Sequence, residues 1–243
     1  MFPKKGIRFD FWSLVSLVSL ITFGLFLIVP VFQMIVYAFQ NKEGAVTFEN
    51  IIRFFSRPYY VKSMTNSISV VLIATLLVIV IGVPLAYIMT TFKIKGRRLV
   101  DILIIISMLS PPFLGAYSWI LMLGRSGDIT VFLKDTIGLH IPNIYGFGGI
   151  LLVFVLKLYP YIYMYTKGAL KKVDASLGEA AESLGYHGIR KILNVSLPLV
   201  LPTILAGATI VFLRAFADYG TPRLIGEGYN TLPVIIYQEW VSE

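Results

Sequence analysis

Cysteine is absent from the 243 residues, which excludes disulfides, thiolate metal sites and cysteine nucleophiles. Charge is scarce: charged residues make up 14% of the chain, against about a quarter in soluble domains. The two histidines, His140 and His187, stand alone in connecting segments, with no partner at metal-ligand spacing. No G-x-x-x-x-G-K-[ST] run occurs, so the chain lacks the usual loop for cradling nucleotide phosphates. Paired carboxylates and nucleophile–base constellations are missing too, so neither a catalytic site nor a cofactor is expected. No internal repeat, low-complexity tract or soluble domain is visible. What the chain has in excess is apolar sequence, with 57% hydrophobic residues and a mean hydropathy of +0.80. A net charge of +8 raises nucleic acid as a partner. The basic residues lie between apolar runs and form no stripe or binding motif, so they read as topology charges with no nucleic-acid partner.

The first apolar run, Phe11 to Gln40, carries no charge. At about 1.5 Å per residue it spans a hydrocarbon core of roughly 30 Å even when tilted. Lys4, Lys5 and Arg8 give it the basic start of a signal peptide, but it is too long for one and no small-x-small cleavage site follows closely. An uncleaved helix is the expectation. A second run lies between Lys62 and Lys93, with Gly82 and Pro84 inside it. A third lies between Asp101 and Arg125; Pro111 and Pro112 in its middle predict a kink or break. The fourth covers about Ile144 to Tyr165 and includes Lys157. The fifth covers about Leu197 to Leu213, with Pro198 and Pro202 in its first turns, where helical N–H groups lack partners anyway. The predicted fold is therefore an all-α membrane protein, a polytopic bundle with five visible spanning helices. Residues 1–243 read as one transmembrane domain in the lipid bilayer, with a connecting loop at 167–198.

Lys and Arg set the orientation. Lys4, Lys5 and Arg8 at the start, Lys93, Lys95, Arg97 and Arg98 after the second run, and Lys167, Lys171, Lys172, Arg190 and Lys191 after the fourth outnumber the basic residues of the alternate connections. This places the N-terminus and the 167–198 loop in the cytoplasm. With five spans, the tail from Arg214 is outside; Gly220, Pro222, Gly226, Gly228 and Pro233 predict an irregular loop. Thr231 to Val241 then reads as a short amphipathic helix at the membrane surface. Because the chain stops at Glu243 without a terminal signal, a sixth spanning helix is expected to follow.

The loop is the most informative segment. Ser176 and Glu179 have capping-box spacing, which predicts a helix start. Leu177, Ala180, Ala181 and Leu184 share one face at i, i+3, i+4 and i+7. Gly185 suits the left-handed residue that ends a helix. A second short helix puts Ile189, Ile192 and Leu193 on one side, with Arg190 and Lys191 beside them. A helical hairpin with alanines on its contact face can enter a partner's groove, and Leu197–Pro198 joins it to the fifth span. Spacing alone leaves open an amphipathic loop lying on lipid.

The run Glu179-Ala180-Ala181, then three residues, Gly185, nine residues and Val195-x-Leu197-Pro198 resembles the EAA motif of binding-protein-dependent ABC permeases. In that family the last element is Ile-x-Leu-Pro; Val195 is a mild departure. The resemblance extends to the helix layout over nearly the whole chain. It implies the fold of type I ABC importer permeases in the bacterial inner membrane, and a coupling helix docked on a separate ATPase through Glu179, Ala180, Ala181, Gly185, Leu197 and Pro198. It also implies the partners: a cytoplasmic ABC ATPase dimer that carries out hydrolysis, an extracytoplasmic solute-binding protein and a second permease unit. Ala217-Asp-Tyr-Gly-Thr-Pro222, with Ile225-Gly-Glu-Gly228 and Leu232-Pro233, is similar to the ferric-iron branch. Polyamine, thiamine and phosphonate permeases share the general pattern.

For the path itself the candidates are Lys157, Tyr161, Arg214 and Asp218. An ionisable residue inside a span is a functional candidate by default, but Lys157 can equally snorkel to the cytoplasmic interface or form a structural pair. Tyr159, Tyr161, Tyr163 and Tyr165 read first as an interfacial aromatic belt. Arg214, Asp218 and Tyr219, at the outer end of the fifth helix, suit contact with the solute or its binding protein, or an interfacial ion pair. Two rivals from other classes are an ion-coupled carrier and a non-transporting membrane anchor. The absence of carboxylates within the five runs argues against ion coupling.

Overall fold

Helices make up the regular structure of the computed structural model, which describes residues 10–41, 43–109, 111–139 and 142–242; no strand occurs among them. Lys4, Lys5, Arg8, Lys42, His140 and Glu243 lie outside the described residues. The chain divides into two compact units, Met1–Val61 and Lys62–Glu243.

In the first unit, α1 (Phe11–Ala38) starts at Asp10, whose carboxylate and Ser13 form a capping box. One wider turn, Gly24–Ile28, interrupts it, with the Val29 N–H reaching back to Gly24 O. The next residue is Pro30, which has no N–H to donate and whose ring crowds the carbonyl four residues back. A π turn at this point moves that carbonyl aside. Asn50, in α2 (Glu49–Ser56), donates its Nδ2 to Gln40 O at 2.9 Å, just past the end of α1.

The second unit is built on α3 (Pro58–Thr91), α7 (Phe147–Leu170) and α9 (Gly188–Phe216). Between α3 and α7 lie α4 (Arg97–Met108), α5 (Pro112–Leu123) and α6 (Asp128–Ile137). Among the described residues four helices, α1 among them, are long and apolar enough to cross a membrane. A fifth crossing arises if α4 and the stretch Phe113–Ile137, bent by 106°, count as one broken span. The bend falls at the Pro111–Pro112 pair, as the sequence predicts. The third helix begins earlier than expected, at Gly96, whose φ of +80° turns the chain into it. Asp101 therefore sits inside a helix of a candidate span, which removes the argument that spans hold no carboxylate.

Apolar surface gives helices no reason to leave lipid for one another, so close van der Waals fit decides their packing. Val70, Val71, Ala74 and Val78 of α3 meet Ile150, Phe154, Leu158 and Ile162 of α7 and Val211 and Ala215 of α9 in one buried cluster. Ile162 is fully buried and sits against two glycines. A Cβ at Gly82 would lie 2.9 Å from Ile162 Cβ, and one at Gly207 would lie 3.2 Å from Ile162 Cδ1.

The segment after α9 is more ordered than the sequence suggests. A short helix α10 (Gly220–Ile225) has Thr221, Pro222 and Ile225 buried. The following helix α11 (Leu232–Ser242) buries Val234 and Ile235 and is tied to α3. The Leu232 N–H donates to Ser67 Oγ at 2.7 Å, and Asn66 Nδ2 donates to Asn230 O at 3.0 Å. Its first turn is thus anchored in protein rather than lying free on lipid, because Asn66 and Ser67 satisfy backbone groups that the turn leaves open.

Gly82→Val is expected to destabilise the chain by about 1–3 kcal/mol through overpacking, read as a lower unfolding temperature in detergent. Gly24→Ala, where a Cβ meets nothing within 4 Å, serves as control. Equal melting of Gly82→Val and wild type would refute the wedged contact.

Candidate functional site

Lys157 sits ten residues into α7, about 15 Å along the helix. It does not snorkel. Its ammonium bonds Asp218 Oδ2 at 2.6 Å. The Asp218 side chain is 7% exposed, and it also accepts the Thr221 N–H at 2.9 Å and the Thr221 hydroxyl at 3.3 Å. One turn along α7, Tyr161 lies under the Arg214 guanidinium, 4.7 Å from the ring centroid. These four residues, all candidates from the sequence, line one cavity of about 560 Å³ closed on another side by Met108, Pro111 and Phe113. Of the sequence alternatives for Lys157, the structure shows the pair; its partner is Asp218, just past the end of α9.

A second polar cluster was missed. The Tyr163 hydroxyl and the Lys167 ammonium both donate to Asp101 Oδ1, and Lys167 also donates to the Tyr163 oxygen at 2.9 Å. Tyr163 is fully buried, so it is no part of an aromatic belt. Lys167 is buried as well and lies in the last turn of α7. The spacing of Tyr163 and Lys167 puts them on one helix face, a signal legible in sequence; Asp101, across on α4, was not.

Beyond α7 the chain forms the predicted hairpin, with a different cap. Asp174, not Ser176, opens α8 (Ala175–Ser183) by accepting the Ser176 N–H at 2.9 Å. At the other end Gly185 adopts φ +86°, its N–H bonds Glu182 O, and the Tyr186 N–H reaches Ala181 O at 2.9 Å. This is the pair of bonds of a Schellman ending. Lys191 closes the hairpin by donating to Glu182 Oε1 at 2.7 Å. Of the predicted apolar face only Ala181 is buried, while Glu179, Ala180 and Leu177 are exposed and Leu184 is 78% exposed. The second short helix is not separate: Gly188–Phe216 is one continuous span. Its wider turn, Ile192–Ser196, ends with the Leu197 N–H on Ile192 O, one residue before Pro198. Leu197 and Pro198 thus lie within a helix rather than at a joint.

The Ser176 N–H holds the Asp174 carboxyl below the usual carboxylate range, and the Lys191 ammonium does the same for Glu182. Such groups stabilise at pH above the unfolded carboxylate value, and the contribution is lost as pH falls through the folded one.

A profile of the family described as "Binding-protein-dependent transport system inner membrane component" matches residues 79–239. The chain belongs to this family. The match runs from α3 through the cavity and the hairpin into α11. The chain is 29% identical over 234 residues to the "Ferric transport system permease protein FbpB" of Actinobacillus pleuropneumoniae, covering 96% of the chain and 34% of that protein. A "Putative ferric transport system permease protein FbpB 1" of Haemophilus influenzae matches equally well over 37% of its length. The chain thus spans about a third of the length of these ferric permeases. The "Putative 2-aminoethylphosphonate transport system permease protein PhnU" of Salmonella typhimurium is 24% identical over 245 residues, covering 99% of the chain and 85% of that protein. Among solved structures, a bacterial alginate ABC transporter "in complex with alginate pentasaccharide-bound periplasmic protein" superposes with a TM-score of 0.74 at 17% identity, covering 95% of this chain and 84% of that one. The MetNI methionine ABC transporter gives 0.56 at 20% identity, covering 73% and 78%. These likenesses show the fold of ABC importer permeases, and the chain is a multi-pass membrane protein.

Two measurements check the geometry. Lys157→Met or Asp218→Asn alone is expected to cost up to about 3 kcal/mol by leaving the remaining, largely buried charge without its partner. The double variant should recover part of this in detergent melts, and strictly additive losses would refute the pair. In an NMR pH titration of the membrane-embedded chain, the Ser176 amide should report a midpoint below that of a free aspartate. A midpoint at or above the free value would remove the Asp174 cap.

Proposed function

We propose that the chain is the membrane-spanning subunit of an ATP-driven solute importer, docking a separate ATPase through the hairpin Ala175–Lys191. The observation that carries this reading is the hairpin itself. It is exposed, capped at both ends of α8 and continuous in helix with α9. A partner that grips Glu179 and Ala180 can pass its movement to α9 across the short turn 184–187, which the Lys191–Glu182 ion pair braces. The far end of that helix carries Arg214 and leads into Asp218, at the cavity. Family membership supports the same roles for these residues.

In this reading ATP is hydrolysed by a dimer of partner subunits, a second permease unit completes the path and an external solute-binding protein delivers the solute. The hairpin and the N-terminus face the cytoplasm, in line with their Lys and Arg, and the cavity opens toward the other side. Ferric iron is the solute we favour, supported by the names of the ferric relatives, with phosphonate and, through the "Spermidine/putrescine transport system permease protein PotB" of Haemophilus influenzae at 28% identity over 209 residues, polyamines as rivals. Asp101 and Asp218 lie within the bundle, but each is bonded to a lysine, which suits fixed pairs better than ion-coupling sites.

The test is co-purification of the protein with its candidate ATPase. Wild type should retain the ATPase; Glu179→Lys and Gly185→Arg should lose it, by tenfold or more on the scale of an interface hot spot, while still inserting in the membrane. Gly185→Arg acts through backbone strain, since φ +86° disfavours any side chain. If wild type binds no ATPase, or both variants bind as wild type does, the importer reading fails and the anchor or carrier readings take its place.

A further inference from the structure

The cavity of about 560 Å³ holds two cationic side chains, Lys157 and Arg214, and one carboxylate, Asp218. Lys157 is spent on Asp218, and that carboxylate is further occupied by both donors of Thr221. Arg214 has no such partner: among the described residues no ion pair involves it. One positive charge is therefore left uncompensated in a pocket otherwise walled by Met108, Leu109, Pro111 and Phe113. Arg214 is exposed, in the last turn of α9, so something that enters the cavity can reach its charge and neutralise it.

The way Arg214 is held says what that something is. The guanidinium carbon lies 4.7 Å from the centroid of the Tyr161 ring, a cation–π contact that holds the group without an anionic partner. A planar fork of donors with no ion pair is suited to binding phosphate-like and carboxylate oxygens bidentately. The same positive charge repels ammonium groups. We propose that Arg214, beside the Tyr161 ring, is an oxyanion-recognition site in the cavity. The solute passing it carries phosphonate, carboxylate or metal-oxyanion oxygens, a metal ion travelling as a chelate with such oxygens outermost, and is not a polyamine. Naming this ligand a solute rests on the importer reading; the oxyanion site itself does not.

The experiment reads Arg214 directly. The whole chain is placed in phosphatidylcholine nanodiscs, and modification of individual arginines by phenylglyoxal is followed by mass spectrometry, with the exposed Arg190 of the hairpin as internal reference. 2-Aminoethylphosphonate, citrate, molybdate and spermidine are added one at a time. At least one of the three oxyanions should slow modification of Arg214 about tenfold relative to Arg190, as for a charge-assisted bidentate contact, and spermidine should not. Tyr161→Leu should weaken that protection while leaving the reference unchanged. Protection by spermidine, or by none of the three oxyanions, overturns the proposal. Protection in phosphatidylglycerol nanodiscs with no soluble probe also overturns it, by assigning the oxyanion to a lipid headgroup. In cells, Arg214→Gln should cut uptake of the protecting solute about tenfold, and Arg214→Lys, which keeps charge but loses the fork, should recover part of it. Arg214 lies at the opposite end of α9 from the hairpin, so ATPase co-purification should be unchanged in these variants. Failure of wild type to hold the ATPase would count against the importer reading alone.

Discussion

Ile162 is the point where three helices meet. It projects from α7 into positions on α3 and α9 that glycine alone leaves open, Gly82 and Gly207. In an aqueous protein such a contact would be one among many apolar burials. In a bilayer, where apolar surface is content on either side, it is the close approach of backbones that gives the helices a reason to stay together. Both polar clusters flank this contact on α7, Lys157 on one side and Tyr163 with Lys167 on the other. Each ties α7 to a different neighbour: Lys157 to the segment after α9, and Lys167 to α4. The apolar wedge brings the helices close, and the two ionic pairs fix their rotation, since neither pair forms if α7 turns by one residue.

The same arrangement gives α9 its importance. At 29 residues it is about 40 Å long at about 1.5 Å per residue. It starts in the hairpin, packs on α7 through Gly207, Val211 and Ala215, and ends at Arg214 beside the cavity. Under the importer reading the docking hairpin and the cavity are joined by this one helix, with only the turn 184–187 between it and α8.

Features that depend on near neighbours in the chain were legible in the sequence. The apolar runs gave the spans, the Pro111–Pro112 pair gave the bend, and Gly185 gave the end of α8, because each reflects backbone chemistry within a few residues. The cavity residues Lys157, Tyr161, Arg214 and Asp218 were each legible as candidates, but not their pairing. Lys157 and Asp218 are 61 residues apart, and a sequence carries no direct sign of which carboxylate folds back onto which lysine. The same holds for Asp101 and Lys167, separated by 66 residues, and here the run boundaries misled as well, since both residues fell just outside the apolar segments. The Asp174 cap was missed for a smaller reason. Ser176 and Asp174 both suit a helix start, and the carboxylate, the stronger acceptor, took the position.

The wider turn at Ile192–Ser196 has one more consequence. A π turn holds one residue more than an α turn, so it advances the helix by about 100° relative to an uninterrupted one. Side chains before it, such as Ile189, are out of phase with Ile204 and Val211 after it. The hairpin and the membrane-embedded part of α9 can therefore face different directions while remaining a single helix. Removing one residue from the turn would rotate the hairpin by that angle against the span and aim Glu179 at a different quadrant, with the packing of α9 on α7 left as it is.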